Sequence, residues 1–535
     1  MRLTRIAIQN HSRLQDLNLE IRQHLVLIGP NDAGKSSILR CLDLLLGATT
    51  ARLYSKITFD DLRDPDRSFT VEVDLAEFST DDKALYPDEI QIGENGEESL
   101  TIRMEASFDA NQTLAIQRFA PLSGTGRQLS RAQLLGVGWT MLGADDGSRS
   151  IREDRHSMLD DMLHSVDLGH ERATFDSLID NIGLGLRNSK VLDGLRNELA
   201  DQLTRVLPVA IGKDDLEFVP GALADNDVLS GVRLQVSKAG VLRAVSEQSD
   251  GMRALFAIAL YDLISGGANM VGLDEPEIHL HPSSQRNLAR LLQAGKNQKL
   301  LATHSPDIVS AFSSESIVSV RAGGVVVQPQ VGFLSADQRM VVRWWVRDRL
   351  EPLTARHVVA VEGISDRIVL EQAARVTGRQ LDRLGVSVLE TGGAGDMGAI
   401  WQMFGPEGFD VPMSLLIDRD AVAETASKLG VLEADLSSLS VWVSERDLED
   451  EYTAAIGADT LWAAIETSGQ FSKNELGNCQ ITGQAGKRAL DDVAAFCRFK
   501  SSYKTRVAMV VADLLDERTV RKIKSIEDLL GEIAS

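Results

Sequence analysis

The stretch LVLIGPNDAGKSSILRCLDLLLG, from Leu25 to Gly47, constrains this chain more than any other. Four apolar residues, Leu25 to Ile28, lead into a glycine-bracketed turn. Apolar residues then recur at Ile38, Leu39, Leu42 and Leu45. That is a strand, a loop and a helix. The turn fits G-x-x-x-x-G-K-S in full, and each residue type has a task in it. Gly29 and Gly34 let backbone N–H groups wrap phosphate oxygens, Lys35 adds a point charge at the β and γ positions, and the Ser36 hydroxyl reaches Mg2+. Asn31 and Ser37 complete the nucleotide-binding positions of the loop.

Such a loop needs one carboxylate for the Mg2+ water shell and another to orient the attacking water. MVGLDEPEIHLHP supplies both, since the apolar run Met270 to Leu273 ends in Asp274 and Glu275. LLATHSPDIV is a further apolar strand with a polar end, which places His304 at the γ-phosphate. SEQSDGMRALFAIALYDLI reads as a Ser/Gly turn before an apolar helix. From it Ser249 and Gly251 would offer a hydroxyl and N–H groups to the γ-phosphate held by a second copy. The order Gly29–Ser36, Ser249–Gly251, Asp274–Glu275, His304 resembles an ABC-type ATPase head of the DNA-repair kind. That resemblance implies ATP as ligand and two heads closing on two ATP molecules, hence a homodimer or larger. The signature departs from L-S-G-G-Q, and KITFDDLRD (Lys56 to Asp64) stands where a Q-loop is expected.

A chain of 535 residues exceeds one core, so two or three domains are expected. Its three cysteines lack C-x-x-C spacing, which favours neither a disulfide framework nor a zinc site. No window approaches 18 uninterrupted apolar residues and MRLTRIAIQN has no signal-peptide core, which predicts a cytoplasmic protein with no membrane contact. The net charge of -22 argues against broad non-specific nucleic-acid binding, though not against a local basic channel or a metal-bearing acidic site.

About 240 residues separate the glycine-rich loop from Asp274, more than a compact nucleotide domain needs. SFTVEVDLAEF, SLTIRMEASFD and TLAIQRFAP alternate apolar and polar residues, predicting an antiparallel sheet attached to the head. VLDGLRNELADQLTRVL instead places Val191, Leu192, Leu195, Leu199 and Leu203 on one helical face. This insert either covers the ATPase core or serves dimerisation. The expected divisions are ATPase 1–156, helical insert 157–207, ATPase again 208–335, linker 336–354 and a second domain 355–535.

In that second domain HVVAVEG, SDRIVLEQAARVTG, VSVLETGG and MSLLIDRDAVAETASKLG alternate strand and helix, predicting a small parallel-sheet α/β unit. Function in such sheets collects at the C-terminal strand ends. Glu362, with Asp366 one helical turn on, follows the first strand, and Asp418 and Asp420 follow SLLI. Gly363 is expected to permit a close turn. Converging carboxylates repel, and oxygen-only ligands suit Mg2+ or Mn2+. The arrangement resembles a Toprim domain, and a repair-type ATPase head followed by a Toprim resembles the OLD (overcoming lysogenization defect) family.

The OLD resemblance implies an α/β chain made of an ABC-type P-loop head with a helical insert, followed by a Rossmann-like Toprim domain. It implies an ATPase-coupled, Mg2+- or Mn2+-dependent DNA endonuclease or nickase, in phage defence or DNA repair, with a helicase or other defence protein as partner. Carried over, Glu362, Asp366, Asp418 and Asp420 become metal ligands, and SERDLEDEY offers Glu449 as a further one, with Glu445 and Glu451 competing. FKSSYKTRVAMVVADLL resembles the family's lysine-bearing helix and makes Lys504 a phosphate stabiliser. Arg498, Lys500, Lys504 and Arg506 form the densest local basic run. A nucleotide-gated DNA clamp with a structural Toprim is the alternative reading.

Overall fold

A computed structural model describes residues 1–109, 113–123, 126–142, 181–206, 210–220, 232–238, 241–244, 252, 268–278, 280–335, 350–392, 397–484 and 487–534. Contacts divide them into two units, Met1–Val326 and Val327–Ser535.

In the first unit β1 (Arg2–Gln9), β2 (Leu17–Glu20), β4 (Phe69–Ala76), β5 (Gln91–Ile92), β6 (Glu98–Phe108) and β7 (Leu114–Phe119) form one sheet, in the order β2-β1-β4-β6-β5 with β7 also on β6. Its pairings are antiparallel. In β4 every second residue is buried, which is the alternation FTVEVDLA encodes.

A second sheet holds β3 (Leu25–Ile28), β8 (Trp139–Leu142), β12 (Met270–Asp274), β13 (Gln298–Ala302), β14 (Ile317–Arg321) and β15 (Val325–Val327), in the order β15-β14-β3-β13-β12-β8. From β14 to β8 the pairs are parallel. All four residues of β3 and all five of β13 are buried, as in strands covered on both faces; β3 is apolar throughout, while β13 buries Gln298 and Lys299 ahead of its apolar end. β9 (Leu216–Pro220), β10 (Val232–Lys238) and β11 (Val241–Ala244) make a small antiparallel sheet. After β3 comes α1 (Lys35–Leu42).

The predicted insert helix is present as α2 (Lys190–Val206), but its apolar face is only half covered. Leu199 and Leu203 are buried, while Val191 is 82% and Leu195 41% exposed. The remainder of the insert, up to residue 180, lies outside the described residues. After β12 runs α3 (Pro282–Ala294).

The second unit has a four-stranded parallel sheet: β16 (His357–Val361), β17 (Val386–Glu390), β18 (Met413–Ile417) and β19 (Val441–Val443), ordered β17-β16-β18-β19. The chain moves one way from β16 to β17 and the other way from β16 to β18. The β16/β18 gap is therefore the topological switch point, where open α/β sheets place their sites. Helices α4 (Ile364–Val376), α5 (Leu448–Ile456), α6 (Leu490–Arg498), α7 (Ser501–Leu514) and α8 (Lys524–Ala534) follow in the chain. Val369, Leu370 and Ala373 of α4 share one core with Tyr452, Phe496, Val507 and Val511.

Candidate functional site

At the C-terminal end of β3 the glycines are needed for shape. Gly29 lies at φ 156°, and a Cβ there would fall 2.0 Å from the Val320 carbonyl oxygen. Gly34 lies at φ 110°, with the Leu14 side chain 2.5 Å from where a Cβ would stand. Neither position accepts a side chain. Lys35 is buried, and its Nζ donates to the carbonyls of Gly29 (3.0 Å) and Pro30 (2.9 Å), closing the loop on itself.

Neighbouring parallel strands deliver the other groups. The Ser36 hydroxyl donates to Asp274 Oδ1 at 2.9 Å, joining positions far apart in the chain. Glu275, at the end of β12, has φ 47°, a left-handed conformation that costs a non-glycine residue on the order of 1–3 kcal/mol. Its N–H is tied to the Ala302 carbonyl at 2.9 Å. His304 Nε2 sits 2.8 Å from Lys35 Nζ and 3.4 Å from Glu275 Oε1. Burial, then the Lys35 charge, hold His304 below its usual pKa, so the neutral ring accepts from the lysine. Burial also lowers Lys35, with Glu275 and Asp274 opposing.

One participant escaped the sequence reading. Glu277 is two residues beyond Glu275, and its single Oε1 accepts from the Thr303 hydroxyl (2.8 Å), the His304 N–H (2.5 Å) and the Ser305 N–H (3.1 Å). Its Oε2 is buried without a hydrogen-bond partner, and burial raises its pKa. Glu277 thus fixes the loop that carries His304. The second acid of DEPE was the available signal. Asn31 is exposed and Ser37 partly buried on the same loop; Ser249 and Gly251 lie outside the described residues.

In the second unit the switch point gathers carboxylates. Glu362, leaving β16, accepts the Asp418 N–H on Oε1 at 3.0 Å, bridging to the end of β18. Asp418 Oδ1 accepts the Leu448 N–H at 3.1 Å, which ties the start of α5 to the same place. Asp366, in the first turn of α4, accepts the Gly363 N–H at 2.9 Å. The chain bends at Glu362 and Gly363, but Gly363 is extended, with φ -157° and nothing within 4 Å of an added Cβ, so the turn does not require a glycine. Glu449, on α5, is 1% exposed, and its Oε1 meets Lys504 Nζ of α7 at 3.1 Å.

These groups sit in each other's fields. Burial, then Glu449, push Asp366 up to about 7, and burial, then Glu362 and Glu449, push Asp418 up to about 8. Burial likewise raises Glu449 against the pull of Lys504. Burial works to lower Lys504, but Glu449, Asp418 and Asp366 outweigh it and hold the ammonium above its usual value.

Of the three competing acids, Glu451 is spent elsewhere: it accepts from the Glu445 N–H and from Ser525. Glu445 is exposed. Asp420 lies on the exposed turn Arg419–Ala421, with no hydrogen bond to the others among the described residues. The predicted basic run is largely neutralised. Arg498 pairs with Asp447 and Asp450, Lys504 with Glu449, and Arg506 with Glu475.

Among the described residues no three acidic, imidazole or thiol groups close on one metal position. Backbone N–H groups and Lys504 take up carboxylate oxygens of Glu362, Asp366, Asp418 and Glu449. A divalent cation nevertheless fits the group. The donors are all oxygen, burial and neighbouring carboxylates raise Asp366 and Asp418 to about 7 and 8, and the buried Glu449 Oε2 has no hydrogen-bond partner.

Residues 25–310 match the family model described as "AAA domain, putative AbiEii toxin, Type IV TA system", and residues 353–420 match "Overcoming lysogenization defect protein-like, TOPRIM domain". The chain belongs to the family of that AAA-domain model, and its second unit carries an OLD-like TOPRIM match. The OLD nuclease of Thermus scotoductus is 24% identical over 455 residues, 78% of this chain and 82% of that protein. Endonuclease GajA of Bacillus cereus is 19% identical over 419 residues, 74% of this chain and 71% of that one. A solved C-terminal region of the Xanthomonas campestris pv. campestris OLD protein is 24% identical, covers 34% of this chain and 97% of its own, and has a TM-score of 0.27. The AAA match contains the loop and strand ends built above, and the TOPRIM match contains Glu362, Asp366, Asp418 and Asp420. Among the described residues no helix is long and apolar enough to cross a membrane.

Proposed function

We propose that this chain is an OLD-type nuclease that hydrolyses ATP and uses a divalent cation, Mg2+ or Mn2+, to cleave or nick DNA, in phage defence or DNA repair. The observation that carries the reading is the gathering of Glu362, Asp366, Asp418, Glu449 and Lys504 at the switch point of the second unit's sheet, in a chain whose first unit has a formed phosphate-binding loop. The names of its two curated relatives support a nuclease.

In the first unit Lys35 would exchange the Gly29 and Pro30 carbonyls for β- and γ-phosphate oxygens. Ser36 and Asp274 would flank Mg2+, Glu275 would orient the water, and His304 would face the γ-phosphate. Ser249 and Gly251 would act on the nucleotide of a second copy, making the working form at least a homodimer.

In the second unit Glu362, Asp366, Asp418 and Glu449 would hold the cation, with Asp420 at the rim. A bound cation supplies charge for the phosphodiester oxygens and lowers the pKa of a water. Lys504 then places a fixed positive charge at the scissile phosphate while keeping Glu449 ionised.

The test is supercoiled plasmid with Mg2+ or Mn2+, with and without ATP. Nicked or linear product that EDTA suppresses is expected. Intact plasmid under every condition, with ATP turnover normal, refutes the nuclease assignment. Plating efficiency of phages on cells carrying the gene separates defence from repair.

A further inference from the structure

We infer that Phe499 is a stacking platform for an unpaired base, so that the DNA taken at the acidic centre is single-stranded or locally unpaired there. This rests on the nuclease reading above and adds the substrate class.

Phe499 joins α6 to α7 and is 54% exposed, the only aromatic side chain among the second unit's described residues that is so open to solvent. The unit gathers Trp462, Phe471, Phe496 and Tyr503 in one buried cluster, and Phe499 stands at its solvent side against Tyr503. The ring is not loose. Tyr503 packs against it at 5.7 Å between centroids, inclined by 52°, and Lys500 Nζ sits 5.3 Å from its centroid. A braced ring with a cation over it offers a base a surface to stack on and its phosphate a charge.

Its position ties it to the chemistry. Lys504 is one helical turn beyond Lys500, its N–H bonded to the Lys500 carbonyl at 3.0 Å, and four residues of helix rise about 6 Å. At the start of α4, Ile364 is 43% exposed and lies two residues before Asp366. Lys504 meets Glu449 at 3.1 Å, so Phe499 stands just before the helix that carries a cation into the acidic group.

Charge argues for stacking over backbone capture. Arg498, Lys504 and Arg506 are spent on carboxylates, and of the four cations only Lys500 pairs with none among the described residues. With a net charge of -22 and one uncommitted cation here, a duplex read through its phosphates gains little. A splayed base gains a ring face.

The experiment measures binding of the full chain in EDTA, by fluorescence anisotropy, to a labelled single strand and to the matching duplex. Phe499→Ala and Phe499→Leu should each weaken single-strand binding roughly ten-fold, the scale of one base stack, and change duplex binding less than about two-fold. Phe499→Trp should bind as the wild type does. Any of three results overturns the inference: Phe499→Ala binding the single strand normally, Phe499→Leu behaving as wild type (an apolar docking patch, not a stack), or equal losses on both DNAs. Binding is read without cleavage. A chain that nicks plasmid but shows no Phe499 effect sinks only this inference, and one that stacks through Phe499 without nicking sinks only the nuclease reading.

Discussion

Removing the Lys504 ammonium should expose the cost at which the acidic centre is assembled. Lys504 Nζ lies 3.1 Å from Glu449 Oε1; the glutamate side chain is 2% exposed and the lysine 33%. Lys504→Met keeps most of the stem and leaves Glu449 buried and ionised without its partner. Breaking a fully buried pair costs about 3–5 kcal/mol, and the lysine's partial exposure reduces this to roughly 2–3 kcal/mol. For a unit of this size each kcal/mol lowers the melting temperature by about 2–4 °C, so a fall of roughly 5–10 °C is expected. Thermal unfolding of the full chain in EDTA reads it. The deficit should shrink as pH falls, because burial raises the Glu449 pKa and protonation removes the orphaned charge. Lys504→Met combined with Glu449→Gln should regain most of the loss, since neither charge then remains. If the single variant melts like wild type, or the double variant loses the sum of two penalties, the pair is not what holds Glu449 in place.

Glu277→Ala should lower the ATPase kcat roughly ten-fold or more while nucleotide affinity changes little, because the loss is of His304 placement; Glu277→Gln, which keeps an acceptor oxygen for Thr303, His304 and Ser305, should recover much of the rate in steady-state assays. Gly34→Ala should abolish binding of a fluorescent ATP analogue, and adding Leu14→Ala should not restore it, because the φ of 110° is itself refused by a side chain. Asp366 and Asp418 have folded-state values of about 7 and 8, raised above the unfolded carboxylate, so their contribution to stability is complete below about pH 4 and is lost as pH rises through 7 and 8. The metal-free melting temperature should therefore fall over that window, and Mg2+ or Mn2+ should oppose the fall increasingly at higher pH.

The sequence was most legible where one residue type has one physical use. Gly29, Gly34, Lys35 and Ser36 announce their loop because positive φ, a buried ammonium and a hydroxyl toward Asp274 leave few substitutes. The acids at strand ends were legible because parallel strands of four to five apolar residues show where a sheet edge must be. What could not be read was partnership across the fold. Glu451 and Glu449 look alike in SERDLEDEY, yet one is bound by Ser525 and the other faces Lys504. The basic run looked like a patch because its carboxylates, Asp447, Asp450 and Glu475, lie elsewhere in the chain. Gly363 suggested a turn, but extended backbone there needs no glycine. Val191 and Leu195 carry the right period for a buried face and remain exposed, since periodicity states which residues share a face and not what covers it.

The central claim is that DNA is cut at the carboxylates around Glu362. The most direct measurement compares wild type, Asp418→Asn and Lys35→Ala for nicking of supercoiled plasmid in Mn2+, with ATP turnover measured on the same preparations. Asp418→Asn should lose nicking and keep ATP turnover, and Lys35→Ala should lose ATP turnover. An Asp418→Asn protein that nicks at the wild-type rate would place the cleavage chemistry elsewhere and contradict the account.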